Sequence, residues 1–343
     1  MITKKRARLL LKTRDRIVLL RAVRMFLRGT FAVVALLTGL PNVSALTFNL
    51  NYDPDSTFTS AGLSAADIVA MKAANTYAAA QFTNNFSDPI HINIKVTARA
   101  GTDTLGLAVM NLNKFSYSSI LTKLLSDATS ADDATVVGTG GTIPSTDPIA
   151  TTHDYFVPFA QAKALGLKAN DASTLDGTYT FGGGWDYTYD PNNRAVPGKM
   201  DYIGLAMHEI SHIMGRACLM GVALRPGFPG YYPMDLFHFS GPDTRRLTDG
   251  SGRYFSIDNG TTNLKGFNNA SASGGDIGGW AFGTNDSFNA FAFFGVENEL
   301  SPLDLRTMDV IGYDRVVPEP STLALLGVGA IWLLGYAWRR RRS

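Results

Sequence analysis

The sequence is poor in cysteine, histidine and glutamate. It has a single cysteine, Cys218, five histidines and, among 29 acidic residues, four glutamates. One cysteine cannot form a disulfide within the chain, so the fold has to rely on its apolar core. Because these reactive side chains are scarce, a place where several of them occur together is informative.

The chain also lacks basic residues in its central part, although its overall net charge is +2. Ten Lys/Arg lie in residues 1–28 and four in 339–342, which leaves 17 against 27 Asp/Glu in residues 46–317. The central part therefore carries a net charge of −10. This excludes a basic nucleic-acid-binding face, because the positive clusters belong to the two ends.

The N-terminal 45 residues have the layout of a secretory signal. The basic region is followed by an apolar run at 31–40 and by Val-Ser-Ala at 43–45, a small-x-small cleavage site. About ten apolar residues are too few to cross ~30 Å of hydrocarbon. We therefore expect a signal peptide at 1–45 and an exported protein that begins near Leu46.

The C-terminal end carries a second targeting pattern. Val-Pro-Glu-Pro at 317–320 precedes an apolar stretch at 321–338 and an arginine block at 339–342. Eighteen helical residues at ~1.5 Å each just span a bilayer, and the arginines would stay cytoplasmic. The segment 316–343 resembles the PEP-CTERM sorting signal of Gram-negative bacteria. The resemblance implies an exosortase as processing partner, a transient inner-membrane anchor, and release to the cell surface or beyond.

Between these ends, local patterns predict an α+β fold with a mixed sheet, a site-bearing helix and a loop-rich C-terminal part. Capping residues and apolar spacing predict helices, and alternation predicts strands. The predicted helices start at 64, 117, 159, 202 and 301. The predicted strands lie near 46–50, 91–99 and 185–189, and the predicted loops at 129–151 and 243–288.

The segment 208–212, His-Glu-Ile-Ser-His, lies on the predicted helix 202–214. Two histidines four residues apart share one helix face and can bind one zinc ion. The glutamate after the first histidine is turned aside, where it can deprotonate a water molecule. The pattern predicts His208 and His212 as zinc ligands and Glu209 as the catalytic base. The alternative is a solvated helix face or a structural metal site.

The third ligand is less clear from the residues. Gly215 matches the glycine of the metzincin pattern HExxHxxGxxH. That pattern requires His or Asp at position 218, where this chain has Cys218. His238 and Asp235, in Pro-Met-Asp-Leu-Phe-His at 233–238, are the other candidates. Residues 46–314, and most closely those from Met207 onward, resemble secreted bacterial metalloproteases with PEP-CTERM tails. In that family the Asp before Leu-Phe is the constant element, so the resemblance favours Asp235. His238 then replaces the arginine usual in the family.

The resemblance implies a zincin-like metalloprotease domain at 46–315 that hydrolyses protein or peptide substrates with Zn2+. A methionine beneath the zinc could be Met234 or Met308, although plain core packing explains either. The strand 185–189 could hold an extended peptide, or be an ordinary hairpin strand. The competing hypothesis is a PEP-CTERM surface or matrix protein with an inert or structural metal site. A zinc hydrolase acting on a non-peptide amide is a third possibility.

Overall fold

A computed structural model describes residues 46–281, 283, 285–316 and the single residue 329. The predicted signal peptide at 1–45 and, apart from residue 329, the apolar stretch 321–338 lie outside the described residues. Within the described part of the chain, no helix is both long and apolar enough to cross a membrane.

The main sheet has four strands and positions the site helix. Its order is β1 (Thr47–Tyr52), β2 (His91–Arg99), β6 (Gly177–Gly182) and β3 (Gly106–Met110). The first three run parallel, and β3 pairs antiparallel with β6. The alternating apolar side chains of β2 are buried, as its sequence pattern requires. Strand β3 forms one edge of this sheet.

The described residues also contain eight α-helices. They are α1 (Asp55–Ala61), α2 (Ala65–Thr83), α3 (Tyr117–Asp127), α4 (Ala131–Val137), α5 (Phe159–Ala164), α6 (Tyr202–Ile213), α7 (Ala270–Ser273) and α8 (Pro302–Val310). Helix α6 packs against α2 and against strand β3. A buried hydrogen bond from Asn75 to the Tyr202 hydroxyl, 3.2 Å long, joins α2 to the start of α6.

Shorter strands build three further sheets in the rest of the chain. The strands are β4 Leu112–Phe115, β5 Asp154–Pro158, β7 Tyr187–Thr188, β8 Met200–Asp201, β9 Gly230–Tyr231, β10 His238–Gly241, β11 Thr244–Arg245, β12 Tyr254–Phe255 and β13 Lys265–Gly266. They form one sheet of order β11–β10–β12–β13, one of order β4–β5–β9, and the pair β7–β8. A 3₁₀ helix, Pro233–Phe237, leads into β10.

The α+β prediction is confirmed, and so are the helices that start at 64, 117, 159, 202 and 301. The predicted loop 129–151 is wrong in part, because Ser130 caps helix α4 within it. The predicted strand 185–189 shrinks to the two residues of β7, which pair with β8. Three successive glycines at 182–184 turn the chain just before it, and Asp190-Pro191 turns it just after.

Candidate functional site

Helix α6 carries the His-Glu-x-x-His segment and is fixed at both ends. At its N-terminus the Asp201 carboxylate accepts a hydrogen bond of 3.0 Å from the Gly204 amide. The Arg194 guanidinium holds that carboxylate from the other side, with bonds of 3.0 and 2.7 Å. At the C-terminal end Gly215 takes a φ of +114°, in the region where a side chain would be strained. The predicted helix and its cap are confirmed.

The two histidines of α6 present their Nε2 atoms to one point. His208 Nδ1 donates to the Ser287 carbonyl at 2.8 Å, and His212 Nδ1 donates to the Arg216 carbonyl at 2.7 Å. A carbonyl can only accept, so each ring carries a proton on Nδ1, and the Nε2 atom of such a ring has a lone pair whenever the ring is neutral. The two Nε2 atoms are 2.9 Å apart. Two lone pairs so close together repel unless a cation or a hydrogen-bond donor lies between them.

Asp276 brings a carboxylate to the same point. Its Oδ2 atom lies 3.6 Å from His208 Nε2 and 3.3 Å from His212 Nε2. The point equidistant from these three atoms is about 1.9 Å from each, near the ~2.0–2.2 Å of zinc bonds to histidine and carboxylate. Three such ligands and a free fourth position are the usual arrangement of a catalytic zinc site. The residues present therefore fit a zinc ion.

Sequence reasoning missed Asp276. It lies in a glycine-rich loop, Gly274-Gly275-Asp276-Ile277-Gly278, with no helix or strand periodicity to draw attention to it. Although burial works in the opposite direction, neighbouring positive charge, which includes the Arg216 guanidinium at 2.9 Å, holds the pKa of Asp276 well below its ordinary value. Its carboxylate is therefore ionised at neutral pH, as a zinc ligand has to be.

Arg216 contacts all three of these side chains, and its own side chain is fully buried. Its Nη2 atom is 3.1 Å from His212 Nε2 and 3.3 Å from His208 Nε2, and its Nη1 donates to Asp276 at 2.9 Å. The guanidinium is held in place by a 2.7 Å bond from its Nε to the Ser211 hydroxyl. Burial, followed by the positive charge of Arg216, lowers the pKa of His208 well below the ordinary value, so the ring stays neutral.

Glu209 lines the cleft beside this group. Burial, followed by the charge of Asp276, raises the pKa of its carboxyl to about 8, and the charge of Arg216 works in the opposite direction. Any further positive charge near the histidines would lower this pKa. The carboxyl can therefore hold or release a proton close to neutral pH. Gly106 on β3 leaves the space that this side chain occupies.

The cleft has a volume of about 470 Å³. Residues of strand β3, of helix α6 and of the segment 286–292 line it. The alternate side chains Leu107 and Val109 of β3 are 42% and 56% exposed. One side of β3 is open for pairing, because β6 occupies only the other side within the described sheet.

The structure places Asp235 away from the histidine pair, in a second group with Cys218 and His238. Its Oδ2 atom accepts bonds from the backbone amides of Tyr232, Leu219 and Met220, at 2.8, 3.1 and 3.2 Å. This corrects the assignment of Asp235 as the carboxylate beside the histidines. Its negative charge fixes the backbone around 219 and 232, and Asp276 lies where the third ligand was expected.

The other sequence-based candidates lie apart from the cleft. Met234 and Met308 are fully buried in the hydrophobic core, and neither lines the cleft. No residue of 185–189 lines the cleft, whose exposed strand is β3. Two histidines that were not candidates, His91 and His153, contact Thr47 and Asp147 and do not line the cleft.

Comparison with known proteins identifies one end of the chain. Residues 316–342 match the PEP-CTERM protein-sorting motif. The chain therefore carries an exosortase-type sorting signal and is an exported protein. No curated protein matches the chain, and no solved structure matches it.

Proposed function

We propose that this exported protein is a zinc-dependent endopeptidase with a zincin-like domain at 46–315. The observation that carries the proposal is the meeting of two histidine lone pairs and one ionised carboxylate, from His208, His212 and Asp276. Both Nδ1 atoms are already used as donors, so each ring is oriented for a ligand at Nε2.

The three side chains would hold the metal, and Glu209 would handle the proton. A bound zinc ion polarises a peptide carbonyl and favours deprotonation of water. Glu209 follows the first histidine on the same helix, and its carboxyl opens into the cleft. It would accept a proton from the attacking water and pass it to the leaving amine. Arg216 favours the ionised form of Glu209, which a base requires.

Strand β3 supports a peptide as the substrate. An extended chain can add to an exposed sheet edge through backbone hydrogen bonds, with its side chains directed alternately to either face. Such a chain would lie along the cleft wall that faces Glu209 and the histidines. We therefore propose β3 for the role that the sequence pattern suggested for 185–189.

Hydrolysis of a peptide library by the zinc-loaded protein tests this function. We expect cleavage, and a loss of at least about 100-fold in kcat for Glu209→Gln, because a general base contributes about 10²–10⁴-fold. Glu299→Gln is the matched control, since the same change there affects an exposed side chain. Equal rates for the parent and Glu209→Gln would remove Glu209 from the mechanism.

One contact favours a second candidate, a surface protein with an inert site. Arg216 Nη2 already offers a positive charge to both Nε2 atoms. If that charge takes the place of a metal, the zinc-stripped protein will bind less than one zinc per chain on reloading and will hydrolyse no peptide. Stoichiometric zinc together with hydrolysis would reject this candidate.

A further inference from the structure

Cys218, Asp235 and His238 form a second group with the chemistry of a zinc site. One ligand atom from each residue lies within 4.8 Å of the others. Asp235 and His238 are fully buried, and the Oδ1 atom of Asp235 has no hydrogen-bond partner among the described residues. A thiol, a carboxylate and an imidazole are all zinc ligands. By donor type alone, this group would bind a second zinc ion.

The hydrogen bond at the Nδ1 atom of His238 argues against a zinc ion in this group. Arg253 Nη1 lies 2.7 Å from His238 Nδ1. A guanidinium can only donate, so Nδ1 is the acceptor and carries the lone pair. Burial, followed by the charge of Arg253, lowers the pKa of His238 well below its ordinary value, so the ring is neutral. Its one proton is then on Nε2.

The protonated Nε2 atom faces the cysteine. It lies 3.1 Å from Cys218 Sγ, within the range of a hydrogen bond to sulfur. Burial, followed by the charge of Asp235, raises the pKa of the Cys218 thiol well above its ordinary value. The thiol therefore keeps its proton, and its sulfur atom accepts the hydrogen bond from His238. The order of donation is Arg253 to His238 to Cys218.

The site histidines show the opposite arrangement. His208 and His212 donate Nδ1–H to carbonyls and offer Nε2 as a ligand, whereas His238 accepts at Nδ1 and offers a proton at Nε2. We infer that Arg253 excludes metal from the Cys218–Asp235–His238 group and so restricts zinc binding to His208, His212 and Asp276. Arg253 thus sets how many metal ions the chain binds.

Arg253 cannot readily withdraw from His238. Its side chain is fully buried and is paired with Asp249 at 2.6 Å. Its Nη2 also donates to the Asn268 carbonyl at 2.5 Å, and its Nε donates to the Gly250 carbonyl at 3.2 Å. The His238 ring is stacked on Phe267 with 3.6 Å between ring centroids, which fixes its plane. The donor and the ring therefore keep their relative position.

Zinc stoichiometry after stripping and reloading tests the role of Arg253. The parent protein and Arg253→Lys, which keeps a donor, should bind the same number of zinc ions. Arg253→Met, which has no donor, should bind one more, and Arg253→Met with Cys218→Ser should lose that extra ion. An unchanged count in Arg253→Met, or a lower count when Cys218→Ser is made in the parent, would overturn the inference.

The ring tautomer can be measured without any substitution. In ¹⁵N-labelled zinc-stripped protein, long-range ¹H–¹⁵N spectra should show His238 protonated at Nε2, and His208 and His212 protonated at Nδ1. A proton on Nδ1 of His238 would contradict the inference even if Arg253→Met did not fold. The proposed function fails separately, through absent hydrolysis or absent zinc at the first site, while the tautomer of His238 is unchanged.

Discussion

Gly106 controls the position of Glu209, and Gly106→Ala is the substitution that shows it. A Cβ atom added at this position would lie 2.9 Å from Glu209 Cδ and 2.7 Å from Leu205 Cδ1, and it would meet Glu209 Oε1 more closely still. Ordinary van der Waals contact begins near 3.4 Å. The carboxyl would have to move by about 1 Å, a displacement that can cost on the order of 10²-fold in rate.

The three atoms nearest to the added methyl group belong to Glu209 and Leu205, and none belongs to His208, His212 or Asp276. Gly106→Ala should therefore lower kcat for peptide hydrolysis about 100-fold and leave zinc content at the parent level. Gly266→Ala is the matched control, because a Cβ atom there meets nothing closer than 3.8 Å. Parent-like kcat in Gly106→Ala would refute the reasoning, and loss of zinc would show that the strand supports the ligands instead.

Four further substitutions have distinct expected outcomes. Asp276→Asn should weaken zinc affinity by at least about 10- to 100-fold, which is the usual loss even for residues that only hydrogen-bond to a metal ligand. Asp235→Asn should keep zinc but lower the unfolding free energy by about 1–3 kcal/mol. A zinc titration and a urea melt distinguish the two outcomes. Lys163→Met leaves the buried Asp176 carboxylate without its ion-pair partner at 2.7 Å, which should cost about 3–5 kcal/mol of stability in the same melt. Burial, followed by the charges of neighbouring aspartates, raises the pKa of Asp127 to about 8. The folded state then binds more protons than the unfolded state above pH ~4, so this group's stabilising effect is lost as the pH rises towards 8. Asp127→Asn should therefore be more stable than the parent at pH 8 and equal to it near pH 4; a parent that is equally stable at both values would contradict this assignment.

The parts of the fold that sequence predicts well are those with local signals. The capped helices at 64, 202 and 301 have side-chain caps that are visible in the sequence, and the structure keeps them. Strand β3 has no such signal, because Gly106 opens it and its exposed face carries Leu107 and Val109 instead of polar residues. Its place at a sheet edge is decided by pairing with β6, some 70 residues later.

The site residues also divide into those that a local sequence pattern predicts and those that only tertiary packing brings together. His208, Glu209 and His212 follow from one spacing on one helix, and α6 places all three at the cleft. Asp276 comes from a loop 64 residues beyond His212, and only the packing of that loop against Arg216 brings it there. Asp235 and Cys218 have the right chemistry for zinc, but their hydrogen bonds hold them in a different group. Ligand type alone cannot separate these groups, because the choice depends on which ring nitrogen carries the proton.

The donor atoms around bound zinc test the central claim most directly. An X-ray absorption spectrum of the zinc-loaded protein should show nitrogen and oxygen neighbours only, at about 2.0–2.2 Å, as expected for His208, His212 and Asp276. A sulfur neighbour at about 2.3 Å would identify Cys218 as a ligand and contradict the account. A protein that retains no zinc at all would contradict it as well.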